Sequence, residues 1–352
     1  MPDAFNLDDF EAIAKANMAR EHFDYVAGGA GEERSLAENR AAFRRYQLRP
    51  RMLVDVSRVA LGTTLLATPV ALPVGVAPMA TQGLAHPEGE LPLARAAAAA
   101  GALYCLSTVS SRSLEEVADV SSGPRWFQLY VNNRSQARRL VERAEAAGYG
   151  AIVLTVDLPE LGYRERDLRN AFELTGPWGN LPANDQEGLD ELLDMRGVAL
   201  TWADLAEIRS WTSLPLVVKG ILTAEDALLA VEHHASGIIV SNHGGRQLDA
   251  VVAPVDALSE VVAAVGGRAE VYLDGGVRRA TDVLVSLALG ARAVFIGRPF
   301  FYALSLGDEG AARAFAIVRE ELELAMALLG TPSVDRVGAE HVLGAARIGR
   351  DA

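Results

Sequence analysis

The chain has 352 residues, half of them hydrophobic, a single cysteine, and a formal net charge of −13 from 33 basic and 46 acidic side chains. That acidic balance speaks against non-specific binding to nucleic acid or anionic lipid, which needs a basic surface, and one cysteine excludes an internal disulfide. No apolar run is long enough to span a bilayer, and Met1 to Arg20 carries Asp3, Asp8, Asp9 and Glu11 where a secretory leader would be basic and then apolar. A cytoplasmic small-molecule enzyme with neither a nucleic-acid nor a membrane partner is therefore expected.

Taken in chain order, Leu7 to Ala14 places apolar residues at helical intervals, and residues up to about Arg51 read as helical, broken by Ala27-Gly28-Gly29-Ala30-Gly31. Tyr25 stands just before that break, where a tyrosine either reaches into a pocket or packs a helix on the body. Val54 to Leu72 suggests a small hairpin able to plug the bottom of a barrel. Strand-like runs then fall at Val74 to Ala77, Ala102 to Ser107, Trp126 to Tyr130, Ala151 to Val156, Leu216 to Lys219, Gly237 to Ser241, Val271 to Asp274 and Ala293 to Gly297. Helical segments separate them, ending with Asp308 to Leu329.

Eight strand-then-helix units in series predict an α/β fold of the closed (β/α)8 TIM-barrel type, because each right-handed crossover returns the chain beside the previous strand. An open doubly wound sheet is the competing fold, but no Gly-x-Gly-x-x-Gly follows the early strands. The reading is one domain over 1–352: an N-terminal helical extension and hairpin (1–72), the barrel (73–330) and a C-terminal tail (331–352). Between Arg169 and Trp202 lies a long loop after the fourth strand, polar and weakly periodic, expected as a cover over the site. Cys105 sits among Leu103, Tyr104 and Leu106 and reads as a buried apolar residue, and the histidines outside position 243 show no metal-ligand spacing, so no metal is expected. His233 and His234 read as closing a helix, where a cation suits the dipole.

Ser107, Gln128, Tyr130, Thr155, Asp157, Lys219, Ser241, His243 and Asp274 all fall at strand carboxyl ends, where barrels keep their chemistry. In Ser241-Asn242-His243-Gly244-Gly245-Arg246-Gln247-Leu248-Asp249 a general base stands three residues from an arginine able to anchor a carboxylate. The bland alternative is a polar loop capping the next helix. Asp274-Gly275-Gly276-Val277-Arg278 and Gly297-Arg298 supply glycines and arginines after the last two strands, the usual barrel pocket for a phosphate. The phosphate belongs either to a substrate or to a cofactor. Lys219 with Gln128 and Thr155 suits a polar ring edge, so flavin mononucleotide (FMN) satisfies both halves.

The stretches Ser241 to Asp249, Leu273 to Arg279, Ile296 to Pro299, Ala77-Pro78, His86 to Glu90, Phe127 to Tyr130 and Leu154 to Asp157 together resemble the FMN-dependent L-2-hydroxy-acid oxidase and dehydrogenase family, which includes glycolate oxidase, lactate oxidase and mandelate-oxidising enzymes. The resemblance implies oxidation of an L-2-hydroxy acid to the 2-oxo acid, with oxygen, a quinone or a protein as electron acceptor, in a homotetramer. It implies His243 as the catalytic base, Asp157 as its supporting carboxylate, Arg164 and Arg246 as the grip on the substrate carboxylate, and Tyr25 and Tyr130 as pocket tyrosines. For the cofactor it implies Ala77, Pro78, Met79 and Ala80 beside the reactive ring nitrogen. Ser107, Gln128, Thr155, Lys219 and Ser241 match its ring-binding set, and Asp274, Gly276, Arg278, Gly297 and Arg298 its ribityl and phosphate set.

One departure stands out: Val109 occupies a position where several members have tryptophan. A substrate larger than glycolate is expected from the added space, unless a neighbouring loop, Gly176 to Asn184, fills it. Two rivals remain, an FMN-dependent isomerase of isoprenoid diphosphates, which would have no use for Arg164 and Arg246, and a catalytically idle flavin-binding barrel.

Overall fold

The computed structural model describes residues 4–181 and 200–344. Short runs of branched aliphatic residues form eight parallel strands: β4 (Val74–Val76), β5 (Leu103–Ser107), β6 (Arg125–Leu129), β7 (Ile152–Thr155), β8 (Leu216–Ile221), β9 (Gly237–Val240), β10 (Glu270–Asp274) and β11 (Ala293–Ile296). They close in the order β10-β11-β4-β5-β6-β7-β8-β9, so neighbours in sequence are neighbours in space all round the barrel. Each strand is buried almost throughout, which is why it reads as an unbroken apolar run rather than an alternation.

The helices lie outside, and local chemistry marks their ends. Ser113 and Glu116 form a capping box on helix Leu114–Val120, and Pro254 opens a helix that Gly266 ends in the left-handed conformation. Helix Arg298–Leu304, between β11 and the long helix Gly307–Leu329, is not visible in the apolar pattern, since Pro299 looks like a break but is tolerated in a first turn.

Inside the barrel, Trp126, Tyr272 and Phe295 pack together with ring centroids 5.4 to 5.8 Å apart. Small residues make room for them: a Cβ at Gly75 would lie 2.9 Å from the Phe295 ring, and one at Gly237 equally close to Tyr272. Below this layer sits a hairpin of β2 (Thr63–Leu65) and β3 (Thr68–Val70), with Leu65 and Val70 buried in the same cluster. The Leu66 N–H donates to the Glu270 carboxylate at the start of β10, fixing the hairpin under the barrel. The aromatic floor leaves the opposite, carboxyl-terminal mouth for the site.

The N-terminal region differs from the helical reading to Arg51. Helices Asp9–Asn17, Arg20–Ala27 and Arg34–Ala41 give way to a 3-10 turn ending at Arg45 and then to β1 (Tyr46–Leu48). That strand pairs antiparallel with β12 (Val342–Gly344), a partner almost 300 residues away that no local pattern announces. The tail after 330 is thus partly structured.

Trp126 is fully buried at the centre of the floor. Trp126→Ala is expected to cost about 3–5 kcal/mol of stability, read by urea denaturation, and a loss below about 1 kcal/mol would contradict this packing account.

Candidate active site

The loops after β7, β9, β10 and β11 converge on a cavity of about 1050 Å³ at the barrel's carboxyl-terminal mouth, at the upper end of ligand-site sizes. Its wall includes Tyr25, Ala77 to Ala80, Ser107, Val109, Tyr130, Arg164, Lys219, His243, Arg246, Asp274, Gly276, Arg278, Gly297 and Arg298. Residues spread over the whole chain are thereby brought to one space.

After β9 the backbone takes three successive left-handed residues, His243, Gly244 and Gly245, at φ of 57°, 65° and 74°. For histidine this conformation costs about 1–2 kcal/mol, and neighbouring polar groups hold it. The His243 N–H donates to Ser241 Oγ (3.1 Å), and the Gly245 N–H to Asn242 Oδ1 (3.1 Å). Asn242 is locked to Asn39 by reciprocal amide bonds of 2.7 and 2.8 Å, tying the loop to helix Arg34–Ala41. No side chain fits at Gly245, where a Cβ would lie 2.6 Å from Leu36 N.

The loop presents His243 to Asp157, just beyond β7, with Nδ1 2.8 Å from Oδ1. Burial pushes the imidazole below its ordinary pKa; Lys219 and Arg164 add to this and Asp157 opposes it. For Asp157, burial alone would raise the pKa, but the charge His243 carries once protonated, the Lys219 ammonium and the hydrogen bond from His243 more than offset it. The pair is therefore a carboxylate holding a neutral imidazole, with Nε2 left to act as a base. A bulge at Gly220 brings β8 against Asp157, where a Cβ would lie 2.6 Å from the Asp157 Cβ.

Lys219 is buried, donates to Ser241 Oγ (3.0 Å) and pairs with Asp274 Oδ2 (3.3 Å). Burial disfavours its charge, yet Asp274 and Asp157 more than compensate, so it remains an ammonium. Tyr130 is pushed above the ordinary phenol range by burial, so it keeps its proton.

Four guanidinium groups surround the rest of the cavity. Arg246 Nη1 donates to the carbonyls of Tyr25 (2.6 Å) and Gly28 (3.0 Å), and its Cζ lies 4.9 Å over the Tyr25 ring. Arg298 donates to the carbonyls of Val26, Gly28 and Gly244 at 2.8 to 2.9 Å. Among the described residues, Arg164 makes only 3.4 Å contacts, to the Arg246 carbonyl and Gln247 Oε1, and of the four Arg278 alone has a carboxylate in ion-pair range, Asp8 at 3.2 Å. Burial, then mutual repulsion with Arg246, lowers Arg164 to about 10 and Arg298 to about 9. Arg164 and Arg298 still carry charge at neutral pH, so the cavity is built to receive anions.

The residues present fit FMN. The cavity is large enough for a nucleotide and its uncompensated positive charge suits a phosphate and a substrate carboxylate. Asp274 Oδ1 is buried without a hydrogen-bond partner, as an acceptor awaiting a hydroxyl would be.

Gln128, Thr155 and Ser241, expected in the ring-binding set, are buried at the strand ends and hydrogen-bonded to one another or to the wall residues Ser107 and Lys219. Gln128 accepts from Ser107 Oγ and the Thr108 N–H and donates to Thr155 Oγ1, forming a buried layer behind Ser107. Residues without an assigned role in the sequence also matter. Gln247 donates to the carbonyls of Asp157 (3.0 Å) and Glu160 (2.9 Å), joining the loops that carry Arg164 and His243. Phe172 and Trp178 wall the cavity from the loop after β7. Residues 182–199, most of the expected cover, lie outside the described residues, as do 182–184 of the segment expected to fill the space at Val109.

Comparison with known proteins identifies the family. A family model described as FMN-dependent dehydrogenase matches residues 14–343. The L-lactate oxidase of Nostoc sp. is 52% identical over 343 residues, covering 92% of this chain and 94% of that protein. The glycolate oxidase of Spinacia oleracea is 47% identical, covering 96% of this chain and 95% of that one. A solved structure of mandelate oxidase with (S)-4-hydroxymandelic acid superposes with a TM-score of 0.91 at 44% identity, covering 97% of this chain and 98% of the other.

The electrostatics of the His243–Asp157 pair make a direct prediction. In an NMR titration His243 should take up its proton only below the ordinary histidine value of about 6.5, staying neutral above it. Asp157→Asn should move the midpoint lower still, because the opposing carboxylate charge is gone; a midpoint above 7 in the unaltered protein would contradict the assignment.

Proposed function

The chain belongs to the FMN-dependent dehydrogenase family and uses FMN to oxidise a 2-hydroxy acid, and we propose that it is an oxidase, converting an L-2-hydroxy acid with an apolar side chain to the 2-oxo acid and reducing oxygen to hydrogen peroxide. The observation that carries the substrate half is the presence of Arg164 and Arg246, neither in an ion pair with a carboxylate among the described residues, in the cavity that holds the His243–Asp157 pair. An isoprenoid diphosphate isomerase gives that pair of arginines no task. Oxygen as acceptor, rather than a quinone or a protein, is supported by the names of the relatives, all oxidases.

In this reading Arg164 and Arg246 orient and neutralise the substrate carboxylate, with Tyr25 and Tyr130 beside it. His243 Nε2 takes a substrate proton, and Asp157 stabilises the imidazolium that results. FMN, when bound, accepts the two electrons released. Ala77, Pro78, Met79, Ala80, Ser107 and Lys219 would hold its ring, Lys219 supplying charge that favours the reduced form. Gln128, Thr155 and Ser241, hydrogen-bonded to one another or to Ser107 and Lys219, would complete the ring-binding set. Asp274, Gly276, Arg278, Gly297 and Arg298 would hold the ribityl chain and phosphate. Val109, buried at the cavity wall, leaves room that an indole would fill, so lactate and mandelate should outrun glycolate. The reading also includes a cytoplasmic homotetramer, which the mass in solution tests.

Anaerobic mixing tests the chemistry. The yellow holoenzyme should bleach with lactate or mandelate faster than with glycolate. His243→Ala should keep its FMN yet lose about 10²–10⁴-fold or more in the rate of bleaching. Near-normal bleaching in that variant would overturn the assignment of the base.

A further inference from the structure

Trp178 has no role in the chemistry proposed above, yet it is a half-buried indole on the wall of the same cavity as Val109. Its position is not that of a loose loop tip. The next residue, Gly179, donates its N–H to the Ser110 carbonyl (3.0 Å), one residue beyond Val109, and a Cβ at Gly179 would collide with the Arg112 backbone. Asn180 follows, 3% exposed. Its Nδ2 donates to the Thr108 carbonyl (3.1 Å) and Ser110 Oγ (2.9 Å), and its Oδ1 accepts from the Leu114 N–H (2.9 Å). The Asn180 carbonyl accepts from Arg143 Nη1 (2.8 Å), which Glu115 holds in a two-pronged ion pair.

The loop after β7 is thus clasped at Gly179 and Asn180 onto the segment after β5, and the clasp fixes the backbone next to the indole, which lines the same cavity as Val109. An indole half open to a cavity leaves apolar area that an apolar ligand group can cover. The same wall carries Phe172, tilted at 34° against Tyr25 with ring centroids 4.9 Å apart, and the Tyr25 ring in turn lies under Arg246. The cavity therefore combines a cationic anchor with aromatic surface contributed by one loop. Because the cavity is roomy, at about 1050 Å³, truncating the indole removes contact rather than relieving a clash.

We propose that Trp178 is a specificity-determining residue, forming with Val109 a subsite for an aryl side chain of the substrate. This rests on the reading of the cavity as a 2-hydroxy-acid site. A wall supplied by the loop compensates for the small side chain at 109 and selects aryl over short alkyl acids.

The test uses holoenzyme with Trp178→Ala and Trp178→Phe. Phenylacetate and propionate, which lack the hydroxyl and are not oxidised, are titrated while the spectrum of the bound flavin is followed; kcat/KM is then measured for mandelate and lactate. Trp178→Ala should weaken phenylacetate and lower kcat/KM for mandelate about tenfold, with propionate and lactate changed less than about twofold, and Trp178→Phe should retain most of the preference. Equal losses for aryl and alkyl ligands would show only a loosened loop and overturn the proposal, as would no loss for either. If the unaltered holoenzyme binds phenylacetate through Trp178 but is bleached by no hydroxy acid, the subsite stands and the proposed reaction falls.

Discussion

Positive charge without a matching negative charge is the constraint on which the rest of the structure depends. Arg164, Arg246 and Arg298 are sunk into the mouth of the barrel and none has a carboxylate within ion-pair distance among the described residues. Burying such groups is costly, and the chain meets that cost with carbonyl oxygens. The carbonyls of Tyr25, Val26 and Gly28, at the end of helix Arg20–Ala27, are turned towards Arg246 and Arg298. A helix carboxyl end carries partial negative charge, so this is a favourable place for two guanidinium groups. The N-terminal extension is thereby part of the site: it sets Tyr25, and it leaves the outer faces of the arginines for anions.

A second, tighter cluster lies beneath. Lys219 joins Asp274 and Ser241, Ser241 steadies the His243 backbone, and Asp157 holds the imidazole. Here opposite charges meet, the Lys219 ammonium between the Asp274 and Asp157 side chains, beside a neutral imidazole. In the proposed reading the two clusters divide the work: this one fixes protonation states, whereas the arginine cluster above it would attract the cofactor phosphate and the substrate carboxylate.

The barrel was legible because each of its strands is buried on both faces and so announces itself within a few residues, as Gly237-Ile238-Ile239-Val240 does. The polar residues at strand ends were legible for the same reason, since packing offers them no use. What stayed hidden depends on partners distant in sequence. Tyr46-Gln47-Leu48 forms a strand only because Val342-Leu343-Gly344 lies beside it. Asn39, Asn242 and Gln247 carry no signal of their own, and their roles exist only once three loops meet. Gln128 and Thr155 could be placed at strand ends, but the hydrogen bond between them shows only once the two strands lie side by side. Trp178 gained meaning only when Asn180 was seen to clasp it to the segment of Val109.

In the proposed reading the guanidinium groups of Arg164, Arg246 and Arg298 receive anions, the cofactor phosphate first. Titration of the FMN-free protein with FMN and with riboflavin, which differ only in that phosphate, measures this. FMN should bind at least about a hundredfold more tightly, equivalent to roughly 2.7 kcal/mol or more, as expected for a phosphate met by buried arginines. Equal affinity for the two would contradict it.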